Sequence, residues 1–97
     1  MFAVIGRVEI KPGNEEMARQ MIADHGVGMF QAMPGSQSAY WSRPIDPAPA
    51  LVQHSFWLFD TEANARAAEA TFNMLREMPE APATFISVDV SEVVGQG

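Results

Sequence analysis

The chain has no cysteine in its 97 residues, which excludes disulfides, thiolate metal centres and a cysteine nucleophile. Positive charge is scarce as well. Six lysines and arginines stand against twelve aspartates and glutamates, for a formal charge of −6 and a pI near 4.6. No basic cluster interrupts that balance, so nucleic acid and anionic membrane surfaces are discounted as partners. No apolar run approaches the length of a membrane span. The opening stretch MFAVIGRVEI carries Arg7 and Glu9 inside an alternating pattern and lacks the charged-then-apolar order of a secretion signal, so a cytoplasmic location is expected. The two histidines, His25 and His54, fall on different elements without metal-ligand spacing, and neither a Gly-Xaa-Ser-Xaa-Gly elbow nor a phosphate loop is present. No metal and no organic cofactor are expected.

What is present is apolar and periodic. Hydrophobic residues make up 47% of the chain, enough for one compact domain over 1–97, with 95–97 as a loose tail. Phe2, Val4, Gly6, Val8 and Ile10 alternate with Ala3, Ile5, Arg7 and Glu9, which predicts a strand with one apolar face. KPGN ends it. Pro12 cannot donate to a ladder, Gly13 permits the turn, Asn14 is placed to cap a helix, and Glu15 and Glu16 fill its first turn, where the dipole favours negative charge. That helix is expected to run to about Met33. Ser36 to Arg43 reads as a second strand, RPIDPAPA as a connection, and Leu51 to Phe59 as a third strand. Asp60 or Thr61 caps a second helix whose Ala63, Ala67, Ala70, Met74 and Met78 form a narrow apolar stripe, and the prolines of MPEAP terminate it. Ala83 to Val94 is the last strand, with Ile86, Val88 and Val90 alternating with Ser87, Asp89 and Ser91. The order β-α-β-β-α-β predicts an α+β, ferredoxin-like fold: a four-stranded antiparallel sheet with both helices on one face.

The second sheet face then carries Ile5, Val52, Phe56 and Leu58 beside Arg7, Glu9 and His54. That is more apolar area than a solvated face usually shows. A second copy of the chain, in a homodimer, is the expected cover. A monomer with a mixed exposed face is the alternative.

The stretch VEIKPGN, a first helix ending in MPGS, a strand ending in WLF and the helix start DTEANARA resemble the dimeric α+β barrel superfamily, and within it the antibiotic biosynthesis monooxygenase family. The resemblance runs over nearly the whole chain. It implies a homodimer whose two sheets pack into a barrel, with a separate pocket in each subunit between the sheet and its own helices. It also implies an activity. Enzymes of this group oxygenate polycyclic phenols without metal or flavin, the substrate carbanion itself reacting with oxygen, in a dry cavity whose groups take the phenolic proton or hold the enolate charge. The haem-degrading branch places an Asn on the first strand, a Trp at the end of the third and an iron-ligating His on the second helix. Here those places hold Gly6, Phe59 and a helix with no histidine, so haem is not an expected ligand.

Candidate site residues follow from spacing. Met17, Met21, His25, Met29 and Met33 repeat every fourth residue along one drifting stripe of a helix. Methionine suits an irregular apolar lining, and His25 is the group within it able to exchange a proton near neutral pH, which makes it the candidate base. Its alternative role is structural, as a partner to a backbone carbonyl or at a helix end created by a break at Gly26. Gly26 and Gly28 let the helix bend or widen. If Phe59 faces the pocket, alternation brings Trp57, Ser55 and Gln53 to the same side and sends His54 to the other. Trp57 is then a stacking wall or a core residue. Tyr40 and Trp41 lie on opposite faces of the second strand, so one of them reaches the cavity. Arg43 is placed to pair with an enolate at the pocket mouth, or sits solvated at a strand end. The expected function is a cofactor-independent monooxygenase acting on a small aromatic or polycyclic phenol or quinol, with His25 as base. Met21, Met29, Trp57, Phe59, Tyr40 and Arg43 would contact that hydrophobic ligand. The alternatives are a non-catalytic ligand-binding protein and a purely structural barrel.

Overall fold

A computed structural model of the chain describes residues 1–78 and 83–97. The elements follow in the order β1 (Phe2–Ile10), α1 (Glu15–Met21), a π-helical segment (Ile22–Gly26), α2 (Val27–Gln31), β2 (Ser36–Ser42), β3 (Leu51–Phe59), α3 (Glu62–Arg76) and β4 (Ala83–Glu92). All strand pairs are antiparallel and the sheet order is β2-β3-β1-β4. This is the ferredoxin-like arrangement, with α1, the π segment and α2 forming one helical arm over 15–31. No helix among the described residues is long and apolar enough to cross a membrane.

Local chemistry sets the element ends. Gly13 takes φ 87° and Gly35 takes φ 74°, left-handed values that suit residues without a Cβ. Asn14 stands at the helix cap position, but its side chain makes no capping hydrogen bond. Instead the Gly13 N–H donates to Glu15 Oε1 at 3.3 Å. Thr61 does cap α3, its hydroxyl accepting from the Asn64 N–H at 3.2 Å. The strand ends differ slightly from the pattern read in the sequence: β2 stops at Ser42 rather than Arg43, and β4 at Glu92 rather than Val94. Of the prolines expected to end the second helix, Pro79 and Pro82 lie outside the described residues, and α3 ends ahead of both at Arg76.

The core contains Val4, Phe30, Trp57, Phe59, Ala65, Ala68 and Phe72. It corrects the phase assigned to the second helix. α3 buries Ala65, Ala68 and Phe72, whereas Ala63, Ala67, Ala70 and Met74 are exposed; Met78, past the end of the helix, is exposed too but borders the cavity under the sheet's helical cover. Two stripes of helical period compete in this sequence, and the one carrying Phe72 withdraws more apolar area from water than a row of alanine methyl groups. A second correction concerns β4. Pairing passes from Arg7↔Ser87 to Val8↔Phe85, a bulge that leaves Ile86 unmatched. Ile86 is therefore half exposed and Phe85 turns inward, where its ring meets Phe72 edge-on at 5.0 Å. The extra residue breaks the period-two pattern read in the sequence.

The face away from the helices carries Ile5 opposite Phe56 and Ala3 opposite Leu58. His54 stacks on Phe56 with ring centroids 6.2 Å apart, and Arg7 Nη1 pairs with Asp89 Oδ2 at 3.0 Å. It is an apolar strip with a polar border.

Candidate functional site

A cavity of about 450 Å³ lies between the helical arm, α3 and the inner face of the sheet. β1 contributes Val8 and Ile10, β2 Trp41, β3 Gln53, Ser55 and Trp57, and β4 Phe85. The helices supply Met21, Ile22, His25, Gly26, Met29, Phe72 and Leu75. That size falls within the 300–1,000 Å³ range of small-molecule sites. It is also three times the ~150 Å³ that accommodates a single benzene ring in an engineered protein cavity, which sets the scale at two or three fused rings.

The helical arm explains why a methionine row contains a histidine and is followed by glycines. A row spaced by four drifts around an α-helix of 3.6 residues per turn. The π segment takes more residues per turn, and inserting it at Ile22–Gly26 cancels the drift, so Met21, His25 and Met29 all border the cavity. The helix does not break at Gly26; backbone angles stay right-handed helical through it. A Cβ added to Gly26 would lie 3.8 Å from Trp41 Cζ2, so this glycine leaves open space beside the indole. Gly28 has nothing within 4 Å and plays no part in the cavity. The ends of the row fall outside it: Met17 is exposed and Met33 packs on the core.

Of the two aromatic candidates on β2, Trp41 faces the cavity. Tyr40 sits opposite Phe56 on the far side of the sheet, 65% exposed, and is removed from the site by strand alternation. Phe59 is removed for another reason. It shares the inner face with Trp57 but is sealed in the core, edge-on to Phe30 at 5.7 Å, one strand repeat beyond the cavity. Trp57 is both wall and core: 3% exposed, with ring neighbours Phe30 at 6.1 Å, Phe72 at 6.1 Å and Trp41 at 6.4 Å. Its indole N–H has no hydrogen-bond acceptor among the described residues. Buried donors in that position are uncommon and mark strain or a functional surface.

Arg43 does not border the cavity. Its Nε donates to Gln53 Oε1 at 2.7 Å and its Nη2 to the Glu15 carbonyl at 2.9 Å, so the cation that sequence spacing placed at the pocket mouth acts behind a neutral amide. Gln53 and Ser55 are the buried polar residues among those described. The His25 ring makes no hydrogen bond to any described residue. The site is thus an apolar box with three polar groups on its walls, an imidazole on the arm and an amide and a hydroxyl on the sheet. No group of three or more His, Asp or Glu side chains is arranged for a metal ion among the described residues.

Several contributors were not read as site residues. Ile22 and Gly26 come in through the π segment, and Phe72, Leu75 and Phe85 through the corrected phases of α3 and β4. A single aromatic in an alanine-rich helix was the available signal for Phe72.

Neither a family model nor a curated protein sequence matches the chain. Solved structures do. A mutant of MhuD with two manganese protoporphyrin IX molecules bound per active site superposes with a TM-score of 0.70, at 15% identity over 100% of this chain and 98% of that one. The chain shares its fold. A dimeric ferredoxin-like protein from an uncultured marine organism gives a TM-score of 0.69 at 13% identity, covering 99% and 97%. A candidate antibiotic biosynthesis monooxygenase from Bordetella bronchiseptica gives 0.61 at 18% identity, covering 96% of each chain. At these identities the likeness is one of fold alone, and the site must be judged on its own residues. One local feature already differs from the haem-degrading pattern. A Cβ built on Gly6 would collide with the Phe72 ring and the Ser55 hydroxyl, so no asparagine fits there beneath α3.

Proposed function

We propose that the chain is a cofactor-independent monooxygenase acting on a small fused-ring phenol or quinol held between the helical arm and the sheet. The observation that carries this reading is the His25 imidazole, exposed and unpartnered among the described residues, at the border of a largely apolar cavity that also contains Trp41 and Trp57. A ring bound there exchanges water for methionine and indole surfaces. His25 accepts the phenolic proton, and the resulting carbanion reacts with molecular oxygen. One oxygen atom becomes a ring carbonyl; the other leaves as water, taking up the phenolic proton held by His25 and the single hydrogen of the ring carbon that is oxidised. The methionine and indole walls limit the water that could reprotonate the carbanion.

A homodimer forms part of the proposal. The strip of Ile5, Val52, Phe56 and Leu58 is the surface a second copy would cover, and a ferredoxin-like structure of the same fold is dimeric. A second reading, a binding protein without turnover, is favoured by the lack of any carboxylate hydrogen-bonded to His25 among the described residues, since bases in acid–base sites are usually oriented by a third group. Oxygen uptake separates the two. Native protein given a panel of tricyclic phenols and quinols should consume oxygen, and His25→Gln should lower the rate by roughly 100-fold or more, the reach of general-base catalysis, with ligand affinity changed little. Saturable binding with no oxygen uptake by the native protein would establish the binding reading instead.

A further inference from the structure

The inward row of β3 reads Leu51, Gln53, Ser55, Trp57 and Phe59, and Gln53 is its one amide. The residue is only 6% exposed, and a buried amide in an apolar row needs a reason. Arg43 Nε donates to its oxygen at 2.7 Å. Because a guanidinium donates only, the amide oxygen must be the atom turned toward Arg43, which fixes an orientation that is otherwise a free choice of flip. The nitrogen is then the end left for the cavity that this side chain lines, and its two N–H groups find no acceptor among the described residues. The positive charge behind the oxygen polarises the amide and makes those N–H groups better donors. Arg43 is itself anchored on the other side, through Nη2 to the Glu15 carbonyl at the start of the helical arm.

We propose that Gln53, held by Arg43, is the orienting donor of this cavity and selects fused-ring ligands that present a hydrogen-bond-accepting oxygen, a ring ketone or an ionised phenol. Arg43 is a positioning residue in this scheme and does not touch the ligand. The inference rests on the reading of the cavity as a ligand site, and it narrows the substrate class from any flat apolar molecule to one with an acceptor on the sheet-facing edge. The same donor suits an enolate, whose charge it meets with N–H groups already fixed in place.

The test compares two probes of nearly equal shape, 9-fluorenone with its ketone and fluorene without, by quenching of tryptophan fluorescence. The quantity read is the ratio of the two dissociation constants, which removes the contribution of the shared rings. Gln53→Leu should shift the ratio against 9-fluorenone by roughly tenfold, because the ketone loses its donor while fluorene loses nothing. Gln53→Glu keeps a partner for Arg43 but replaces the donor by an acceptor, and should shift the ratio at least as far in the same direction. Arg43→Met should shift it part of the way while leaving fluorene binding near native. An unchanged ratio in a folded Gln53→Glu protein that still binds both probes overturns the role of Gln53 and leaves the cavity standing. If neither probe binds the native protein, the cavity reading falls and this proposal with it.

Discussion

Gly26→Leu should make the protein more stable and a poorer ligand binder at once. Glycine within a helix costs about 0.8–1 kcal/mol against alanine, and leucine is close to alanine, so the backbone alone gains roughly 0.7 kcal/mol. The new side chain points toward Trp41 and Ile22, whose atoms lie at 3.8 and 3.7 Å from the built Cβ, ordinary contact distances. Half-burying leucine there adds about 1 kcal/mol. For a domain of this size the sum raises the melting temperature by roughly 7–14 °C. Removing one buried leucine side chain can open about 150 Å³, so adding one takes up to a third of the 450 Å³ cavity and leaves room for two rings rather than three. Tricyclic ligands should then bind about tenfold more weakly or worse, through forced displacement of the lining. Gly28→Ala is the control: with nothing within 4 Å, it should stabilise by about 0.5–1 kcal/mol and leave binding alone. Thermal melts by circular dichroism and fluorescence titrations read both effects. A Gly26→Leu protein that melts higher and still binds tricyclic ligands like the native chain would put the ligand elsewhere. One that melts lower would mean that the π segment needs glycine for its backbone.

Other perturbations probe the rest of the account. The native chain should sediment as a dimer at micromolar concentration, and Phe56→Glu, which puts a carboxylate into the apolar strip, should dissociate or unfold it; a fully folded dimer carrying that change would mean a different face pairs. Gly6→Ala sets the built Cβ against Phe72 and Ser55, so overpacking of about 1–3 kcal/mol should outweigh the roughly 0.4–1 kcal/mol gained from a stiffer unfolded chain, and an unchanged or raised melting temperature would contradict the close approach of α3. Haem titration should give weak binding without a sharp histidine-ligated Soret band, and reductant-dependent conversion to an open-chain product would overturn that expectation.

Strand identity and order were legible because period-two alternation and proline-glycine punctuation act within a few residues. β1 and β3 match their sequence-derived bounds at both ends. Met21, His25, Met29 and Trp57 reach the cavity for the same reason, since each sits on a row whose period the sequence displays. What was missed depends on features that local pattern does not encode. The phase of α3 turns on which of two stripes holds the larger side chain. The bulge at Ile86 is set by pairing with β1 across the whole length of the chain. Phe59 has the right face but the wrong distance along it, sealed by Phe30 from another element. Arg43 was placed near the right group with the wrong partner, because its contact with Gln53 crosses from the residue after β2 to β3.

The structure of the chain with a bound tricyclic phenol tests the central claim most directly. The account predicts one ligand per subunit beneath the helical arm, its rings against Trp57 and Met29 and a ring oxygen within about 3.2 Å of the His25 imidazole, the reach of a proton-accepting base. A ligand seated on the outer sheet face, or a cavity closed by collapse of Met21 and Met29 onto Trp57 with ligand absent at saturating concentration, would contradict it.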